Sequence, residues 1–134
     1  MPAIHEPVTG HYVTIPFKGV NYRVYYETSG EGSVPLVCLH TAGAHNAEWR
    51  FLLNDPYMRQ HFKCYAFDLP FHGKSLPPED VEWWKSEYKL TTEFFAGFIM
   101  AFVRTLGIKR PAVIGSSMGG NITLKLMMSA MKRA

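Results

Sequence analysis

The chain is poor in cysteine, in long apolar runs and in clustered charge, and each shortage removes a class of protein. Its 134 residues hold only two cysteines, Cys38 and Cys64, both inside stretches that read as strands. Two buried thiols need neither a disulfide nor a metal, and they fit a reducing compartment. The longest apolar run, Phe94 to Val103, falls far short of the ~18 residues needed to span a bilayer. The amino-terminal MPAIHEPVTG has no basic segment leading into an apolar one, so it does not read as a signal peptide. Lysines and arginines are scattered and the net charge is only +3, which leaves no basic surface for nucleic acid or an anionic membrane. The expectation is a cytoplasmic protein with no nucleic-acid and no membrane partner.

What is present describes a globular domain. Hydrophobic residues make up 47% of the chain and charged ones 19%, too apolar for a disordered segment. The length accommodates one ordinary domain rather than two.

Tyr12 to Phe17 and Asn21 to Thr28 are rich in Tyr and Val, flank the turn Lys18-Gly19, and read as an antiparallel hairpin. Val34 to Leu39 is then a short unbroken apolar run, as expected of a strand covered on both faces. A loop from His40 to Asn46 precedes a helix expected around Ala47 to Leu53, and Lys63 to Phe67 is the next strand, with Asp68 at its carboxyl end. A long connection from Leu69 to Leu90 leads to a helix from about Thr92 to Leu106, with Thr91 as N-cap and Gly107 as C-terminal cap. Ala112 to Gly115 supplies another buried strand, and Met118 to about Met131 the last helix. This order predicts an α/β fold: an antiparallel hairpin, then parallel strands with flanking helices. Ligands in such sheets bind outside the carboxyl ends of the strands, which singles out the loops starting at His40, Asp68 and Ser116.

The third loop carries Gly115-Ser116-Ser117-Met118-Gly119, a G-x-S-x-G pentapeptide between an apolar strand and a helix. An ordinary N-cap serine fits that position. So does a nucleophile on a sharp strand-to-helix turn, which needs small neighbours and gains the free N–H groups of a helix start. Gly115 and Gly119 are expected to supply the space, and Gly120 to let the helix approach the sheet. Ser116 reads as a spacer.

With three stretches in this order, the chain resembles the α/β-hydrolase family, serine hydrolase branch. Val37-Cys38-Leu39-His40-Thr41-Ala42-Gly43 is similar to that family's strand and His-Gly loop. Phe67-Asp68-Leu69-Pro70-Phe71-His72-Gly73-Lys74-Ser75 is similar to its D-x-P-G-H-G-x-S loop, and GSSMGG from Gly115 to Gly120 to its GHSMGG elbow. Thr41 and Phe71 stand where the family motifs have Gly, and Ser116 where His is common. The resemblance implies that Ser117 is the nucleophile and that the backbone N–H groups of Met118 and Ala42 form the oxyanion hole, Thr41 being the less favoured second donor. It implies loop-shaping roles for His40, Asp68 and His72, an ester-like small-molecule substrate, and no metal or organic cofactor. Ser rather than Asp at 117 argues against the dehalogenase and epoxide-hydrolase branches. Trp83, Trp84 and Tyr88 either line an acyl pocket or pack on the helix at Phe94, Phe95 and Phe98.

The family's triad runs Ser, then Asp or Glu, then His, yet the 17 residues after Ser117 contain none of these, and all six histidines precede it. Losing the histidine of a serine triad costs roughly 10⁶-fold in turnover. The expectation is therefore a single, truncated hydrolase domain over residues 1–134, inactive alone. The alternatives are a half-enzyme completed by a second chain and a non-catalytic interaction module. The family's strand order, 1-2-4-3-5 onward, would leave Ala112 to Gly115 as an open edge, suited to self-association or to a complementing chain.

Overall fold

A computed structural model describes residues 2–41, 44–78 and 91–133, with the side chains of Met118 and of residues 129–133 left out. Thr9–Phe17 (β1) and Val20–Ser29 (β2) pair antiparallel from Thr9↔Thr28 to Phe17↔Val20. The two linking residues, Lys18 and Gly19, both take positive φ (49° and 75°), the pattern whose twist matches that of paired strands.

Val34–Leu39 (β3) lies between Phe62–Phe67 (β4) and Ala112–Gly115 (β5) and runs parallel to both, while β4 also pairs antiparallel with β2. The sheet order is β1-β2-β4-β3-β5. Alternate residues of β3 enter two different cores. Val37 and Leu39 pack with Phe67, Phe98 and Phe102 on one face; Leu36 and Cys38 pack with Leu53, Cys64 and Ala66 on the other. That double cover is why β3 has no polar alternation. Both cysteines are free and buried, and burial pushes both thiols up, so neither is a ready thiolate.

The span expected as a helix, Ala47 to Leu53, is a 3-10 turn running into a short helix, and a further, unexpected helix follows it. Residues Asn46–Trp49 form a 3-10 turn, Arg50–Asn54 a short helix (α1), and Pro56–His61 a separate one (α2). The break falls at Asp55, which is extended (φ −67°, ψ 126°) because the following proline disfavours helical backbone there. The Asp55 carboxylate accepts the Met58 N–H at 3.0 Å and Pro56 occupies the first turn, so Asp55-Pro56 was a legible start signal for α2.

Thr92–Thr105 (α3) is capped as its sequence implies. Thr91 Oγ1 accepts the Phe94 N–H at 3.1 Å. At the other end Gly107 (φ 67°) donates to the Arg104 carbonyl and Ile108 to that of Val103, the paired bonds of a Schellman ending. Its buried Phe95, Phe98, Ile99 and Phe102 anchor it to the sheet, each contributing roughly 1.5–3 kcal/mol. Phe17 and Tyr22 of the hairpin meet Phe94 and Phe98 edge-on. Met118–Arg133 (α4) lies beside α3 and β5 with Ile122 fully buried. Among the described residues β5 has one strand partner, β3, and no helix is long and apolar enough to cross a membrane.

Candidate active site

The turn between β5 and α4 is a tight strand-to-helix turn centred on Ser117. Ser117 takes φ +52°, a left-handed backbone that costs a non-glycine residue roughly 1–2 kcal/mol. The turn closes immediately into the helix: Gly119 N–H donates to the Ser116 carbonyl at 2.9 Å and Asn121 N–H to that of Ser117 at 3.0 Å. A β-carbon on Gly115 would lie 2.4 Å from the Gly119 backbone, so only hydrogen fits there. Gly119, not Gly120, lets the helix approach the sheet. A β-carbon at 119 would stand 2.4 Å from the Leu39 carbonyl oxygen, whereas one at 120 meets nothing nearer than 3.8 Å. Met118 opens α4, so its N–H belongs to the amides that a helix leaves without an internal partner.

The loop after β3 is organised by His40, which is fully buried. Its Nε2 accepts the Leu69 N–H at 3.1 Å, which places the ring proton on Nδ1, where it is donated to the Thr41 carbonyl at 2.8 Å. Burial holds the imidazole below its ordinary value, with His72 adding to that, while the Thr41 bond, Asp68 and Glu48 oppose it. A neutral ring committed at both nitrogens joins two loops and has no lone pair left for a proton transfer. Thr41 is not among the non-glycine residues with positive φ, so its replacement of a motif glycine is free of backbone strain. Ala42 lies outside the described residues, as do Trp83, Trp84 and Tyr88.

Asp68, also buried, holds the second loop to its neighbours. Oδ1 accepts the Asn46 backbone N–H at 2.7 Å and its side-chain amide at 2.9 Å; Oδ2 accepts the Lys74 N–H at 2.7 Å. Ser75 Oγ donates to the Asp68 carbonyl at 2.7 Å and accepts the Tyr25 N–H at 3.1 Å. With every oxygen engaged, this is a carboxylate that shapes a loop. Phe71 takes φ 66°, the conformation for which the motif's glycine is suited, and Gly73 takes φ 52° with the Asp68 carboxylate where a β-carbon would go. His72 Nδ1 lies 3.0 Å from the Pro70 carbonyl oxygen, and its ring lies 5.1 Å from that of His40. Because that neighbour is a carbonyl oxygen, His72 Nδ1 is the donor.

One residue of this region has no sequence signal. Glu48, in the 3-10 turn, accepts the Thr41 N–H on Oε1 and the Ser116 hydroxyl on Oε2 at 3.2 Å. Ser116 is therefore more than a spacer. A glutamate between Ala47 and Trp49 reads as an ordinary surface charge, and only the meeting of three loops makes it otherwise.

A cavity of about 410 Å³ opens nearby, lined by Glu27, Asn46, Arg50, Asp68 and Lys74. Glu27 is buried there, accepting the Tyr25 hydroxyl at 2.9 Å and facing Arg50 at 3.4 Å. Burial first, then that bond to Glu27, pushes the Tyr25 hydroxyl up to about 12. A larger cavity, about 670 Å³, is lined by Ser29, Glu31, Arg59 and Lys63 at the amino ends of β3 and β4, the opposite end of the sheet from Ser117. Position outside the strands' carboxyl ends, rather than cavity size, marks the candidate site.

Comparison with known proteins agrees with this architecture. The family model described as alpha/beta hydrolase fold matches residues 34–132. The 2-hydroxy-6-oxononadienedioate/2-hydroxy-6-oxononatrienedioate hydrolase of Burkholderia vietnamiensis (strain G4 / LMG 22486) is 31% identical over 130 residues, covering 96% of this chain and 43% of that protein. The dihydrolipoyllysine-residue acetyltransferase component of the acetoin cleaving system of Cupriavidus necator is 32% identical over 111 residues, 83% of this chain and 27% of its own length. Epoxide hydrolase VrEH1 from Vigna radiata superposes with a TM-score of 0.72 at 20% identity, over 92% of this chain and 36% of that one, a likeness of fold. The chain thus spans less than half the length of the relatives it matches. By its family match and its sheet order, the chain belongs to the alpha/beta hydrolase fold family.

Proposed function

We propose that these residues are the nucleophile-bearing portion of a serine hydrolase acting on an ester or related carbonyl substrate through an acyl-serine intermediate. The observation that carries this reading is the left-handed backbone of Ser117, +52°, at the start of a helix. A serine there presents Oγ beyond the carboxyl ends of the strands, beside helix N–H groups oriented for an oxyanion. In the reaction Ser117 Oγ attacks the carbonyl carbon and its proton passes to a base. The carbonyl oxygen becomes an oxyanion bound by the N–H groups of Met118 and Ala42; the leaving group then departs with a proton, and water hydrolyses the acyl-serine. Thr41 is the weaker candidate for the second donor because its N–H already serves Glu48. Each donor is worth about 2.7–4 kcal/mol of transition-state stabilisation in a working site. The oxo-dienedioates in the name of the Burkholderia vietnamiensis relative fall within the same carbonyl class.

His40 is no base, its ring being committed at both nitrogens, and no acid or histidine follows Ser117. In the family order Ser, then Asp or Glu, then His, the general base belongs to a group outside these residues, and little or no activity is expected of these residues alone. Treatment with a fluorophosphonate probe, read by intact mass and peptide mapping, tests this. The expected result is no adduct on the chain alone, an adduct at Ser117 when free imidazole supplies the base, and none in Ser117→Ala. An adduct elsewhere, or none under either condition, would remove Ser117 as the nucleophile.

A second reading, a half-enzyme or interaction module that docks another chain on β5, is favoured by the sheet edge. Ile114 on β5 and Leu124, Met127 and Met128 on α4 are exposed large apolar side chains. In this reading the site is completed, or its chemistry abandoned, at that edge.

A further inference from the structure

The oxyanion loop and the nucleophile elbow are separate stretches of chain, yet one carboxylate holds both. Glu48 accepts the N–H of Thr41, the residue before Ala42, and the hydroxyl of Ser116, the residue before Ser117. Thr41 and Ser116 are also two of the positions that depart from the family motifs, and the departure at 116 supplies the hydroxyl that Glu48 engages. A carboxylate has two acceptor oxygens and bonds both partners at once, and such charge-assisted bonds are stronger than neutral ones.

The turn that carries Glu48 is bonded to a buried carboxylate. Asn46 begins the same 3-10 turn, is buried, and gives both its backbone N–H and its side-chain amide to buried Asp68. Asp68 is in turn fixed by Lys74 N–H at the end of β4. A continuous set of bonds therefore runs from the β4 loop through the turn to both halves of the candidate site. We propose that Glu48 is a positioning residue that sets the spacing between the Ser117 nucleophile and the oxyanion loop. Its catalytic meaning rests on the acyl-serine reading; the physical link between the two loops does not. A displacement of about 1 Å in such a site costs on the order of 100-fold in rate. Glutamine at 48 retains the link, since its amide oxygen accepts from Thr41 and its amide N–H donates to Ser116 Oγ. Alanine removes it.

The test uses the full chain, uniformly labelled with ¹⁵N, as wild type, Glu48→Gln, Glu48→Ala and Ser116→Ala. Spectra first establish that each variant is folded. The Thr41 amide is expected to move and to lose about tenfold in exchange protection in Glu48→Ala, with wild-type behaviour largely kept in Glu48→Gln. Imidazole-supported fluorophosphonate labelling of Ser117 is expected to slow about tenfold in Glu48→Ala and recover in Glu48→Gln. Ser116→Ala is expected to slow it as well, and a double variant carrying both Glu48→Ala and Ser116→Ala to be no slower than Glu48→Ala alone. An unchanged Thr41 amide in a folded Glu48→Ala chain overturns the proposal. So does unchanged labelling, or a double variant that loses the product of the two single effects. A wild type that never labels overturns the acyl-serine reading and with it the catalytic role, while the amide still reports whether the link exists.

Discussion

The Cα of Gly119 lies so close to the Leu39 carbonyl that a β-carbon there would stand 2.4 Å from the oxygen. The contact is backbone against backbone, between α4 and β3, and neither side can turn away. Gly119→Ala is expected to cost about 1–3 kcal/mol through overpacking. Gly120→Ala, with 3.8 Å to its nearest neighbour, should be neutral or add roughly 0.5–1 kcal/mol from better helix propensity. Urea melts of the two variants separate them, and equal effects would contradict the assignment of the close approach to Gly119.

Ser117 stores strain in its backbone. Glycine accepts φ +52° without a steric penalty, so Ser117→Gly should be about 1 kcal/mol more stable than Ser117→Ala, which keeps the β-carbon. The midpoint of denaturant unfolding reads the difference. A Ser117→Gly chain no more stable than Ser117→Ala would show a relaxed turn.

His40 is buried and neutral, with its folded value held below the ordinary 6.5. The unfolded chain therefore takes up a proton that the folded chain refuses. Its contribution is whole above the ordinary value and is lost as the pH falls below it, by at most about 1.4 kcal/mol per pH unit. Urea unfolding between neutral and mildly acid pH should show this fall in wild type and a shallower one in His40→Gln. Parallel curves would assign the loss to another group.

Asp68→Asn keeps the shape of the side chain but turns an amide N–H toward one of the donors, Asn46 or Lys74, that the carboxylate now satisfies. A loss of about 1–3 kcal/mol is expected, without any need for Asp68 to touch a substrate. Wild-type stability in this variant would leave the buried carboxylate without its structural role.

On β5, Ile114 is exposed at the sheet edge. If that edge pairs with another chain, sedimentation velocity should show concentration-dependent association of the wild type and a monomer for Ile114→Lys, since an edge lysine opposes strand addition. A wild type monomeric at all concentrations would remove self-association at this edge.

Apart from the helix at Pro56–His61, the elements and their order were legible in the sequence. The Tyr- and Val-rich hairpin, the unbroken apolar β3, the Thr91 and Gly107 caps of α3 and the pentapeptide before α4 are local signals, because propensity, capping and periodicity act within a few residues. The helix at Pro56–His61 lies beyond the expected span of Ala47 to Leu53, although Asp55-Pro56 is a start signal in the same local terms. Tertiary structure decided what depends on distant stretches meeting. Gly119 takes the close approach because α4 crosses β3 there; His40 is silenced as a base because Leu69 N–H reaches its Nε2; Glu48 gains a role because Thr41 and Ser116, distant along the chain, meet at its two oxygens. Contacts between distant residues leave no periodic trace, so residue type at each position is compatible with several roles and only the packed backbone selects one.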